Sequence, residues 1–366
     1  MPTSKLFEPL QLGPLKLQQR IALAPLTRYR ANDRHEHTEL AVEYYGQRAS
    51  TPGTLLFTEA TFISPRSAGY AHAPGIWSDA QIAAWKKVTD AVHAKRSFIV
   101  LQIWALGRAA SPDVLKADGQ DYVGASAIPI TADMPAPRRL TADEIKAYVR
   151  EFATAADNAV NKAGFDGVEI HAANGYLLDQ FMQRVSNDRT DEYGGSIENR
   201  LRFVKEVVEA VTATVGQERT GIRFSPWSKA QSMRMTDPVP TFSAMITHLR
   251  DTYAKLLYIH VIEPRIKGDN TAHESDWAGQ RESNDFAHAI WGDRPIIVAG
   301  GYNRETALEA AEKDNVIVAF GRDFLANPDF PTRLKDNLKL NAYNRATFYT
   351  PGPVGYVDYP SYSSTS

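Results

Sequence analysis

The chain has 366 residues, 41 Lys plus Arg against 43 Asp plus Glu, and no cysteine. Balanced charge argues against a nucleic-acid or acidic-membrane surface and for a small-molecule partner. The missing cysteines exclude disulfides, thiol nucleophiles, thiolate zinc sites and cysteine-ligated iron–sulfur clusters.

The opening MPTSKLFEPLQLG lacks the apolar core of a signal peptide, and no apolar run along the chain reaches the roughly 18 residues of a membrane span, so a soluble, cytoplasmic protein is expected. Residues LFEPLQLGPLKLQQ then read as a hairpin turning at Gly13-Pro14. Short β-branched or apolar runs follow at RIALAPL (20–26), TLLFTEA (54–60) and SFIVLQIW (97–104), with a helix over 79–95 opened by Ser78-Asp79. After a long stretch, 105–140, Thr141 and Glu144 make a capping box for a helix over 141–163. GVEIHAA (167–173) precedes another long stretch, 175–195, and a helix over 196–214 that opens on Ser196, with Glu198 one residue short of the box spacing. GIRFS (221–225), LLYIHV (256–261), PIIVAG (295–300) and VIVAFG (316–321) complete the runs, with a third long stretch at 263–283 and a short helix over 304–313.

Strands alternating with helical segments indicate a parallel sheet with crossover helices, and eight of them point to a closed (β/α)8 TIM barrel, which needs about 250 residues and accepts insertions. An open doubly wound sheet would carry G-x-G-x-x-G after its first strand, and none is present. The expected fold is therefore α/β: one barrel domain over 1–366, a hairpin cap below it, elaborated βα loops above it, and a tail over 341–366.

In such a barrel the C-terminal strand ends converge on one mouth. They bring Pro25, Leu26, Thr27 and Arg28 from the first strand, and Gln102 and Trp104 from the third. They also bring His171 and Asn174 from the fourth, Arg223 from the fifth, and Gly300, Gly301, Gly321 and Arg322 from the last two. Glycines that admit backbone N–H groups, beside an Arg, suit a phosphate after strands seven and eight. Thr27, Gln102 and Arg223 suit the polar edge of an isoalloxazine, and one phosphate seat without a dinucleotide fingerprint indicates FMN. His171 and Asn174 can grip one carbonyl oxygen. Tyr176, with an ordinary pKa of about 10, stays protonated as an acid.

APLTR (24–28), EYYGQRAS (43–50), LQIWALGR (101–108), HAANGYLLDQF (171–181) and RTDEYGGSIENR (189–200) follow one another in an order seen in a known family. So do GIRFSP (221–226), AGGY (299–302), FGR (320–322) and FY (348–349). On these segments the chain, from about Leu6 to Asp358, resembles the Old Yellow Enzymes, FMN-dependent NADPH dehydrogenases that act as ene-reductases. The resemblance implies that Thr27 and Gln102 bond the flavin, Arg223 steadies its N1/O2 edge, Pro25 and Leu26 contact it through backbone, and Gly301, Gly321 and Arg322 hold its phosphate. It implies that His171 and Asn174 bind the substrate oxygen, and that Tyr176 protonates the α carbon after hydride passes from flavin N5 to the β carbon. Tyr70, Trp104 and Tyr349 match pocket-wall positions. NADPH (or NADH) would be the reductant, and enones, enals, maleimides and nitroalkenes the substrates, with phenols as ligands. The absence of a cysteine at position 27 and of any cluster motif places the chain with single-domain, fungal-like members, as a monomer or homodimer.

The histidines, His35 and His37 among them, show no metal spacing, so no metal is expected, and RTDEYGGSIENR reads as a structural brace. Relatives that isomerise can lack the Tyr, and its presence here favours net reduction. A pathway-specific reductase or isomerase, or a flavin-binding protein with little turnover, are the alternative readings. Lys267 to Gln280, in the loop after strand six, has no counterpart in the family pattern and is where substrate and nicotinamide selection is expected.

Overall fold

The computed structural model describes residues 4–267, 270–271 and 282–362. Eight parallel strands close a barrel: β1 (Ile21–Leu23), β2 (Leu55–Phe57), β3 (Phe98–Trp104), β4 (Gly167–Ala172), β5 (Thr220–Phe224), β6 (Tyr258–Ile262), β7 (Ile296–Ala299) and β8 (Val316–Phe320). Each pairs with its neighbours in sequence, β8 pairs with β1, and Leu55–Phe57 lies against Phe98–Val100, so no edge is left. All eight expected runs are strands, several of them shorter than the apolar run suggests. β1 stops where Ala24-Pro25 removes a ladder donor, and β2 stops at Thr58, whose side chain accepts the Gln102 N–H at 3.1 Å.

Crossover helices α1 (Glu39–Arg48), α2 (Asp79–His93), α3 (Ala142–Asp157), α4 (Ile197–Val215), α5 (Val239–Thr252), α6 (Asp285–Trp291), α7 (Arg304–Ala310) and α8 (Phe330–Lys335) surround the barrel. The capping boxes at Ser78 and Thr141 form, and the Ser196 hydroxyl accepts from Asn199 N. The helix expected over 141–163 turns π-helical from Asn158 to Lys162, where the buried Asn158 amide donates to the Ile76 carbonyl.

Strand alternation sorts the barrel into two apolar shells. Outward residues such as Ile99, Leu101, Val168, Ile170 and Ile222 pack under the helices. Inward residues Ala22, Leu55, Phe57, Val100, Ile297 and Ile317 fill the lower barrel together with Leu12, Leu15 and Leu17 of the N-terminal hairpin. The hairpin is thus a plug. Its turn needs Gly13, at φ +53°, because a Cβ there would meet Leu257 Cδ1 at 2.6 Å.

At the other end, the tail is strapped over the mouth by three buried arginines that donate to its carbonyls. Arg28 reaches Phe348 at 3.1 Å and Gly355 at 2.7 Å; Arg30 reaches Thr347 and Gly352, each at 2.9 Å; Arg48 reaches Tyr356 at 3.1 Å. The Tyr356 ring stacks on Tyr44 at 4.2 Å. Among the described residues no helix is long and apolar enough to cross a membrane.

Candidate functional site

A cavity of about 740 Å3 opens at the C-terminal ends of the strands, within the size range of small-molecule and cofactor sites. Of the residues expected to form the site, Pro25, Leu26, Thr27, Asn174, Tyr176, Arg223, Gly300, Gly301, Gly321, Arg322 and Tyr349 line it. Gln102, Trp104, His171 and Tyr70 border these residues with most of their surface buried. Gln102 lies inside the barrel with its Nε2 2.7 Å from Glu169 Oε1. Trp104 meets the Tyr176 ring edge-on at 4.7 Å, and His171 meets it at 4.9 Å. The Tyr70 hydroxyl donates to the Ala109 carbonyl at 2.7 Å, and its ring makes T-shaped contacts with Tyr29 and Trp104.

The trio His171, Asn174 and Tyr176 is held by its own loop. Asn174, at φ +58°, adopts the left-handed turn that Asn tolerates, and its N–H donates to Ser225 Oγ at 2.7 Å. The next N–H, of Gly175, donates to Asp179 Oδ2 at 2.9 Å, and the Gln180 amide donates to the Gly175 carbonyl at 2.7 Å. Burial pushes the Asp179 carboxyl up to about 7, against the Gln183 and Gly175 donors that favour its charged form.

Electrostatics assigns protons to the trio. Burial, then the Arg223 charge, hold His171 well below its ordinary value, so the ring is neutral. Its Nδ1 accepts the Ala173 N–H at 3.3 Å, which leaves the ring hydrogen on Nε2 as a donor. Burial, then neighbouring tyrosines, push Tyr176 well above its ordinary value, so the phenol keeps its proton at any physiological pH.

The opposite side of the cavity suits a flavin phosphate. Gly300 and Gly301 have φ of +127° and +64°, and a Cβ on Gly300 would meet Ile266 Cγ1 at 2.7 Å. At Gly300 the backbone conformation and the packing against Ile266 both require glycine, and Gly301 takes a left-handed conformation that glycine adopts without strain. Between phosphate side and trio, Arg223 lines the cavity, its buried Nε has no protein partner, and its guanidinium charge suits an anionic ring edge. Those residues fit FMN.

Two groups at the site go beyond the sequence-based expectation. Tyr29, at φ +52°, lines the cavity and meets Tyr349 at 5.5 Å and Tyr70 at 6.0 Å. Glu169 and His260, fully buried, are paired at 2.8 Å beneath Arg223. Strand alternation already places Glu169 on the inward face with His171, and His260 on that of β6; for Tyr29 no local signal exists. Most of the 267–280 stretch lies outside the described residues, apart from a short ladder pairing Ile266–Lys267 with Asn270–Thr271.

The family model described as NADH:flavin oxidoreductase / NADH oxidase family matches residues 5–341. The chain is 51% identical over 362 residues, 97% of its length and 96% of the relative's, to chanoclavine-I aldehyde reductase fgaOx3 of Penicillium roqueforti (strain FM164). It is 46% identical, over 98% of its length and 96% of the relative's, to a protein of Epichloe festucae var. lolii named probable inactive reductase easA. Old Yellow Enzyme from Pichia sp. AKU4542 superposes with a TM-score of 0.90 at 34% identity, covering 98% of this chain and 94% of that one.

Proposed function

The chain belongs to the NADH:flavin oxidoreductase / NADH oxidase family, as an Old Yellow Enzyme-like oxidoreductase, and from that premise we propose that it uses FMN and NADPH (or NADH) to reduce the C=C bond of α,β-unsaturated carbonyl or nitro compounds. The observation that carries this reading is a phenol kept protonated at the cavity wall, 4.9 Å ring to ring from a neutral histidine that donates through Nε2.

FMN, when bound, supplies the hydride-transferring group that no side chain here can provide. Thr27, Arg223 and the backbone of Pro25 and Leu26 would hold its ring, and Gly300, Gly301, Gly321 and Arg322 its phosphate. Gln102 would meet the ring from below. His171 and Asn174 donate to the substrate's carbonyl or nitro oxygen as it gains charge, a preorganised pair of the oxyanion type. Tyr176 gives its proton to the α carbon. Tyr349 and Tyr29 shape the wall against which the rest of the substrate packs, with Tyr70 and Trp104 behind them.

Within this class an α,β-unsaturated aldehyde is favoured, on the relative named as an aldehyde reductase at 51% identity. The retained Tyr176 supports turnover over a binding role without chemistry. Purified protein should be yellow, bleach under anaerobic NADPH or NADH, and recolour when a conjugated aldehyde or ketone is added. Protein that takes up no FMN on reconstitution, or that stays bleached with every conjugated acceptor, overturns the reading.

A further inference from the structure

Beneath the cavity the barrel interior changes from apolar to polar at one level, and that level is organised by a residue with no part in the chemistry above. Glu169, on β4, is fully buried, and both its oxygens are committed: Oε1 accepts from Gln102 Nε2 at 2.7 Å, and Oε2 lies 2.8 Å from His260 Nδ1. Opposite it on β5 is Gly221, and two residues further along that strand, opposite His171, is Arg223, whose Nε has no protein partner and whose charge acts on the Glu169 carboxylate. Burial pushes the Glu169 carboxyl up; His260, then Arg223 and the Gln102 amide, more than offset this, and it stays ionised.

We propose that Glu169 is a positioning residue for the flavin: by taking the amide nitrogen of Gln102 it turns that side chain so that its Oε1 carbonyl meets the flavin's imide N–H, and its negative charge offsets part of the charge of Arg223. The pyrimidine edge of an isoalloxazine reads acceptor, donor, acceptor across O2, N3–H and O4. Arg223 can serve only the acceptors. The N3–H needs an acceptor, and an amide rotated the other way would set a donor against a donor, leaving two buried polar groups unpaired. The main-chain N–H of Gln102 is already fixed to Thr58 Oγ1 at 3.1 Å, so the side-chain amide is the remaining freedom, and Glu169 removes it. The charge has a separate effect. A guanidinium close to the N1/O2 edge favours the electron-rich form of the ring, and an ionised carboxylate beside that guanidinium weakens the preference.

This inference rests on the FMN reading, and apoprotein titrated with FMN, followed by potentiometry of the reconstituted protein, tests the two separately. Glu169→Gln keeps the shape and removes the charge; the two-electron equilibrium should move at least tenfold, about 30 mV, towards the reduced form. Glu169→Asp keeps the charge but draws the carboxylate back from Gln102; FMN should bind at least tenfold more weakly, with the potential near that of the wild type. A cycle with Gln102→Leu completes the test: if Glu169 acts through Gln102, adding Glu169→Asp to Gln102→Leu weakens FMN no further. An unchanged potential in Glu169→Gln, unchanged affinity in Glu169→Asp, or additive losses in the cycle overturn the inference. Wild-type apoprotein that binds no FMN overturns the reading beneath it instead.

Discussion

Tyr176 illustrates how one residue's environment assigns its role. A phenol held well above its ordinary pKa by burial is a weaker acid, but its proton is present across the working pH range. Reoxidation by an enal should therefore be flat from about pH 6 to 9. Tyr176→Phe removes the proton and keeps the ring that packs against Trp104 and His171. Stopped-flow traces should show reoxidation by an enal slowed on the order of 10² to 10⁴, with reduction by NADPH nearly unchanged. Equal slowing of both halves would mean that Tyr176 shapes the site and donates no proton. The trio itself is legible in the sequence because its members lie within six residues, His171 to Tyr176, and a short loop brings near neighbours together whatever the rest of the chain does. Glu169 was legible as an inward position but not as a partner of Gln102, since nothing local says which residue stands across the strand gap.

At the scale of elements, the turn after β1 depends on the end of β2. Glu59 accepts the Arg28 N–H at 3.1 Å, and its other oxygen lies 3.4 Å from His37 Nε2. Burial pushes Glu59 from its ordinary 4.5 up to about 7, against the Arg28 donor and charge, and pushes His37 down to about 3. A neutral His37 can accept the proton that Glu59 holds. With the folded pKa above the unfolded one, this contribution to stability is complete below about pH 4.5 and is lost as pH rises through 7. Glu59→Gln keeps an acceptor for Arg28 and offers His37 an amide N–H at every pH. Urea unfolding should find the variant close to wild type near pH 5, and more stable on the order of 2 kcal/mol at pH 8. The same difference at both pH values would rule out a titrating Glu59. The left-handed Tyr29 follows directly from this seat, which is why sequence periodicity gave no sign that it faces the cavity.

Over the whole molecule, the barrel is closed from below by the hairpin and from above by the tail. Leu15, 5% exposed, packs in the lower barrel with Leu12, Leu17 and residues of β1, β2, β3, β6, β7 and β8. Leu15→Ala should therefore destabilise the protein by about 2 to 5 kcal/mol, read from denaturant midpoints at unchanged m-value. A loss below about 0.5 kcal/mol would show that the hairpin is an appendage and not part of the core.

What the sequence alone determined was everything with a local cause: eight strands from β-branched runs, the helix starts from their capping residues, the hairpin from Gly13-Pro14, and the trio from a single loop. What only the tertiary structure decided was which distant segments meet. Gln102 reaches Glu169 across 67 residues, Glu169 reaches His260 across 91, and Arg28 reaches Phe348 across 320. Local propensity and periodicity say which face of a strand a residue takes. Barrel closure, strand register and the path of the tail say what stands opposite it, because those contacts form only when the whole ring of strands is in place.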